Sequence, residues 1–331
     1  MNSPLKRDVV KEYTDAFRKE GLKVMLYYSI LDTHHDLRPH HITAKHIQMI
    51  KDQLTELLSN YGEITAVIID GWDAPWSRIS YDDVPFEDIY RLIKSLQPNC
   101  LVMDLNAAKY PREALFYTDI KSYEQGAGQK IAPNSNQLPA LAWLPLQRTW
   151  FWKQSFPKDQ LKSPEWLVNE NINPYGKAHC NIILNVAPNR DGLMDANALK
   201  ALKEIGRLYK ERGHVADVKA ADEQQIISQN IAKNMPAYSS WSDDYAISDF
   251  GNDDDFSSCW NANPAVKEPW YAVEFGREKP FNMVVLTERE GTTAQQYSIE
   301  YRRGNKWIHI LDEGESSASR VKIHRFPTVW G

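Results

Sequence analysis

Apolar residues along the first two thirds of the chain switch repeatedly between two periods. Val10, Tyr13 and Phe17 recur at helical spacing within residues 6–20, and Gly21 follows where a helix would cap. Residues 22–29 (LKVMLYYS) form a short apolar, β-branched and aromatic run of the kind buried on both faces of a parallel sheet. Ile47, Ile50, Leu54, Leu57 and Tyr61 trace the inner stripe of a second helix, and residues 65–70 (TAVIID) predict the next strand. The alternation continues through a helix at 86–96 stopped by Pro98, then strands at 100–104, 115–120, 148–152 and 181–186. A last helix spans 198–212, with Leu199, Leu202, Ile205 and Tyr209 inward and Gly213 behind it. About six strand candidates alternating with helices predict an α/β fold, either a barrel or a doubly wound sheet.

The texture changes after Gly213. Residues 216–229 are polar and predict a linker between a (β/α) domain at 1–215 and a second domain at 230–331. In that second domain, short runs at 270–275, 283–287, 296–302 and 307–310 are punctuated by Gly, Asn, Asp and Pro. This is the close spacing of an antiparallel β-sandwich.

Composition narrows the partners. The formal charge is -5, from 39 basic and 44 acidic residues, and there is no long Lys/Arg block, so nothing draws the chain electrostatically to nucleic acid or an anionic membrane. No apolar run approaches the ~20 residues needed to span a bilayer, and residues 1–20 lack the apolar core of a signal peptide. The three cysteines, Cys100, Cys180 and Cys259, show no zinc or redox spacing. Eleven tryptophans and sixteen tyrosines supply flat amphipathic rings suited to sugars.

Two carboxylates stand out. Asp70 ends a predicted buried strand and precedes Gly71, Trp72 and Trp76; it is either a group aimed into a pocket walled by those tryptophans or a turn aspartate. Glu124 follows another strand candidate in residues 119–128 (DIKSYEQGAG), beside glycines that let a loop approach a ligand. Paired carboxylates suit glycosidic bond cleavage, which needs one protonated acid and one ionised carboxylate. His34, His35, His40, His41 and His46 crowd one stretch without an H-E-x-x-H pattern or carboxylates at ligand spacing, so they are expected to be polar loop residues and not metal ligands. His179 is expected to be a satisfied core or loop residue, and no glycine-rich phosphate cradle occurs.

Several blocks in order resemble the α-L-fucosidases of glycoside hydrolase family 29. They are residues 6–10 (KRDVV), 21–29 (GLKVMLYYS), 32–34 (DTH), 51–58 (KDQLTELL), 61–62 (YG), 69–72 (IDGW), 148–152 (RTWFW) and 181–192 (NIILNVAPNRDG). The likeness spans about residues 4–212. It implies a (β/α)8-type barrel, retaining chemistry without a cofactor, and a fucosylated glycan as substrate. Asp70 falls on the family's nucleophile and Glu124 on its acid/base, with Glu113 as the fallback. Tyr28 or its neighbour Tyr27, His34, and Arg148 with Trp150 fall in blocks that line the family's sugar pocket. Family members carry a further segment ahead of the block at Lys6, holding the first barrel strands and a His-His pair. The resemblance therefore implies a catalytic unit lacking its first strands, with weak or no activity by itself; the alternative is a non-catalytic carbohydrate-binding protein.

Residues 230–331 resemble an F5/8 type C (discoidin-like) module, through 230–232 (NIA), 249–253 (DFGND), 259–262 (CWNA), 270–276 (WYAVEFG), 297–301 (YSIEY) and Trp307. The resemblance implies a sandwich cut short at residues 329–331, with an unpaired sheet edge. It also implies a structural calcium near Asp249, Asn252 and Asp253. A bacterial protein of periplasmic or secreted location is what the family resemblance implies.

Overall fold

The computed structural model describes residues 5–210, 225–243, 245–289, 291, 294, 296–313 and 320–331. The chain divides into two compact units, Met1–Ser228 and Gln229–Gly331.

The first unit alternates as its pattern predicts: α1 (Val9–Lys19), β1 (Met25–Ser29), α2 (Ala44–Asn60), β2 (Ala66–Asp70), α3 (Phe86–Leu96), β3 (Leu101–Asp104), β4 (Lys121–Glu124) and β5 (Ala140–Pro145). Helical turns α4 (Pro164–Trp166) and α5 (Asn173–Lys177), joined by a wide-turn segment Leu167–Ile172, lead to β6 (Cys180–Asn185) and α6 (Ala196–Leu208). The starts of α1 and α2 carry their own caps. Asp8 accepts from the Lys11 amide at 3.0 Å ahead of α1, while Thr43 and His46 form a reciprocal capping box at α2. His46 is thereby accounted for, and so are two of its neighbours: His35 Nδ1 lies 2.6 Å from Asp32 and His41 Nδ1 3.3 Å from Asp36.

The strands pair in parallel and in chain order, β1-β2-β3 in one sheet and β4-β5-β6 in another. The sheets meet where the Asp119 amide donates to the Val102 carbonyl at 2.8 Å. Within the described residues these are two three-stranded sheets; a single closed eight-stranded barrel is not seen. Side chains sort by strand parity into two layers. Ile68, Met103, Leu141 and Trp143, with Met25 and Ile183 beside them, form one inner core shared by both sheets. The alternate positions Val67, Ile69 and Val102 pack outward with Ile50, Leu54, Ile89 and Ile93 of α2 and α3. Period-2 alternation thus assigns each strand residue to the interior or to the helix layer.

Two strands lie elsewhere than predicted. Residues 115–120 hold only an isolated bridge, Phe116 to Ile226, and their Asp119 accepts from Tyr90, Lys94, the Val102 amide and Gln225; the strand begins one residue later, at Lys121. Residues 148–152 form a loop, and the buried strand is the preceding run ALAWLP, whose uninterrupted apolar character suits a position covered on both faces. The last helix ends at Leu208, and Arg212 and Gly213 lie outside the described residues. Of the expected linker, residues 225–229 are described. Ile226 exchanges backbone hydrogen bonds with Leu115 and Tyr117 of the first unit.

The second unit is antiparallel. β7 (Ala237–Ser239) pairs with β8 (Tyr271–Val273), β9 (Pro280–Thr287) with β12 (Val321–Trp330), and β10 (Tyr297–Arg303) with β11 (Lys306–Glu313). Asn252 is buried, its amide nitrogen donating to the carbonyls of Ala232 and Met235 at 2.6 and 2.8 Å; Asp253 accepts from the Asp255 amide and the Ser258 hydroxyl, and Asp249 lies within the short 3-10 turn Ser248–Gly251. Among the described residues no group of three or more His, Cys, Asp or Glu side chains is arranged to hold a metal, and no helix is long and apolar enough to cross a membrane.

Candidate active site

Asp70 is the last residue of β2 and Glu124 the last of β4. Asp70 shares the parity of Ile68, and Glu124 sits opposite Trp143 in the β4–β5 register, so both side chains leave the inner face at the same end of their sheets. The chain can turn after Asp70 because Gly71 takes φ +115°, and a Cβ there would meet Ile30 Cγ1 at 2.7 Å. This is the physical content of the Asp-Gly pair.

Asp70 is buried, and each of its oxygens accepts a hydrogen bond: the Tyr27 hydroxyl donates to Oδ2 at 2.5 Å and the Asn106 amide to Oδ1 at 3.0 Å. Burial and this bond to Asp70 both push the Tyr27 phenol up, so it stays a donor, and the charge of Glu124 adds to the effect. Glu124 is half-buried and accepts from the Trp150 indole N–H at 3.1 Å. Its carboxyl is raised above the ordinary glutamate range, first by burial and then by the charge of Asp70, with the Trp150 hydrogen bond opposing both. Gln129 fixes the Glu124 backbone, and Asn185 at the end of β6 donates to the Trp150 carbonyl at 3.0 Å, which ties the 148–152 loop to the strand ends.

Strand parity separates the two tyrosines. Tyr27 reaches Asp70, whereas Tyr28 points into the helix layer and donates to Gln53 at 2.7 Å; of the pair, the second choice is the one at the site. Trp72 does not wall a pocket. It is fully buried, its indole N–H donates to the Val84 carbonyl at 2.8 Å, and its ring packs on Tyr81 and Phe86, while Trp76 is exposed. His34 and Arg148 are exposed on loops, His34 with its ring edge against His35. Glu113 lies on the β3–β4 connection, where its charge acts on Lys121 and Tyr123; Tyr123 packs in the layer away from the inner core.

Three residues at the site escaped the sequence pattern. Asn106 follows β3 by two residues, and its backbone N–H donates to Asp104 Oδ1 at 2.9 Å. Asp104 is wholly buried and is pushed up to about 7 by that burial; it also accepts from the Tyr81 hydroxyl. Tyr81 stacks on Tyr117 with ring centroids 3.9 Å apart, clamping the β2–α3 loop against the β3–β4 connection. Asp104 could have been flagged by the rule that selected Asp70, a carboxylate at the end of a buried strand.

Residues 1–214 match the alpha-L-fucosidase family, and residues 228–330 match the F5/8 type C domain. Alpha-L-fucosidase 1 of Arabidopsis thaliana is 25% identical over 97% of this chain, and a relative from Oryza sativa subsp. japonica is 24% identical over 98%. The chain spans 64% and 62% of the lengths of these two proteins. Among solved structures, an alpha-L-fucosidase from Lactobacillus casei in complex with alpha-L-fucose product is 23% identical, with a TM-score of 0.48 over 62% of this chain and 66% of that one. A glycoside hydrolase 29 family member from a rumen bacterium is 21% identical, with a TM-score of 0.46 over 99% of this chain and 57% of that one. With its family match covering the whole strand-and-helix unit that carries Asp70 and Glu124, this chain belongs to the alpha-L-fucosidase family and carries an F5/8 type C domain after it.

Proposed function

We propose that this protein releases L-fucose from fucosylated glycans as a retaining exo-glycosidase. The reading rests on one observation: two inward-facing strand-end carboxylates share a field in which the charge of Asp70 helps keep the proton on Glu124. Asp70, held between the Tyr27 and Asn106 donors, attacks the anomeric carbon; Glu124 gives its proton to the leaving oxygen and then takes one from the water that releases the sugar. Tyr27 and Trp150, each bonded to one of these groups, border the bound sugar. A structural calcium near Asp249, Asn252 and Asp253 belongs to the same proposal, through Asp249 and the side-chain carbonyl oxygen that Asn252 keeps free of its amide contacts.

The test follows hydrolysis of an aryl α-L-fucoside by proton NMR. The first-formed product is expected to be the α-anomer, as double displacement requires, and a β-anomer would exclude the covalent role of Asp70. Fucose binding without turnover would select a carbohydrate-binding role instead.

A further inference from the structure

The two oxygens of Asp70 are held from different sides. Tyr27, which donates to Oδ2, comes from β1 and is 57% exposed as a residue, and no further protein group backs its hydroxyl among the hydrogen bonds of the described residues. Asn106, which donates to Oδ1, is partly buried and is itself fixed from behind. Its backbone N–H is tied to Asp104, Asp104 is locked by Tyr81, and the turn it begins, Ala107–Lys109, is anchored by buried Lys121, whose ammonium donates to the Ala107 carbonyl at 3.0 Å. Lys109 pairs with Asp73 and lies over the rings of Tyr81 and Tyr110. The Asn106 amide therefore sits on a rigid support reaching from β3 and β4 to the loop after β2.

We propose that Asn106 is a positioning residue that holds Oδ1 of Asp70 as the non-attacking oxygen, so that Oδ2, on the Tyr27 side, is the atom that bonds to the sugar. The proposal rests on the fucosidase reading given above. In the first step an Oδ2 lone pair forms the bond to the anomeric carbon. The bond from that carbon to the leaving oxygen breaks, its electron pair stays on that oxygen, and the oxygen takes the proton of Glu124. Oδ1 becomes the carbonyl oxygen of the ester and keeps the Asn106 hydrogen bond, so the support needs no rearrangement. In the second step water attacks the same carbon, its proton passes to Glu124, and the electron pair of the ester bond returns to Oδ2. An amide suits this place better than a cation. It orients the carboxylate without cancelling the negative charge that, after burial, raises the proton affinity of Glu124.

Asn106→Asp tests this because it keeps the shape of the side chain while turning the donor into an acceptor. Hydrolysis of a nitrophenyl α-L-fucoside is expected to lose kcat by on the order of 10- to 100-fold, with KM changed less than about threefold. The same loss should appear in the rate at which a 2-deoxy-2-fluoro-fucosyl fluoride labels Asp70, followed by intact mass. Asn106→Ala should behave alike, and a thermal melt of each variant checks that it folds. Wild-type kcat and labelling rate in a folded Asn106→Asp protein would overturn the proposal, as would a loss carried by KM alone. A wild-type protein that neither hydrolyses the fucoside nor is labelled would overturn the fucosidase reading itself, and this inference with it.

Discussion

The ends of β2 and β4 present the same chemical group in two settings. At β2 a buried carboxylate receives one donor on each oxygen, Tyr27 and Asn106. At β4 a half-buried carboxylate receives one indole N–H, while burial and the neighbouring charge both resist its ionisation. Donors stabilise the anion; burial and like charge stabilise the acid. Equivalent strand ends thus differ in what each neighbour donates, and the proposed roles of nucleophile and acid rest on that difference.

The largest break in this contrast is Asp70→Ala, which is expected to reduce hydrolysis of an aryl α-L-fucoside roughly a thousandfold or more, measured as kcat at saturating substrate. Glu124→Ala comes next. Its loss should be on the order of 100-fold on substrates with poor leaving groups and much smaller on a dinitrophenyl leaving group, and azide should restore turnover as a fucosyl azide. Rescue at Glu113→Ala, with Glu124→Ala active, would move the acid/base role to the β3–β4 connection. The smallest change is Trp150→Phe, which should lower kcat/KM by less than about tenfold. Its signature is in pH. The Trp150 bond lowers the proton affinity of Glu124, so losing it leaves Glu124 protonated to higher pH and shifts the basic limb of the kcat/KM profile upward. A downward or absent shift in that profile would mean the indole does not bias Glu124.

Much of this arrangement was legible along the chain, for identifiable reasons. Asp70 was visible because an ionisable group closes a run of five buried positions and a glycine follows it. Glu124 was visible as a loop-edge carboxylate, although its strand begins after the residues first assigned to it. The choice between Tyr27 and Tyr28 was not visible, since two adjacent tyrosines have equal propensity and only the register Ser29↔Asp70 fixes which one shares the inner face. Trp72 looked like a pocket residue by its nearness to Asp70 in sequence, yet the turn at Gly71 sends its ring under Tyr81 and Phe86. Residues 148–152 looked like a strand because aromatic rings favour strands, while the chain there is a loop that brings Trp150 to Glu124.

By itself the sequence determined the alternation of strands and helices, the change to an antiparallel texture in the second unit, and the positions where a carboxylate ends a buried run. These follow from local periodicity and turn chemistry, which act over a few residues. Only the tertiary structure decided that Asn106, 36 residues beyond Asp70, donates to one of its oxygens and that Trp150, 26 residues beyond Glu124, donates to the other acid. Hydrogen bonds between separate strand ends depend on parallel register and on which face each side chain leaves, and neither quantity is encoded in the residues near either partner.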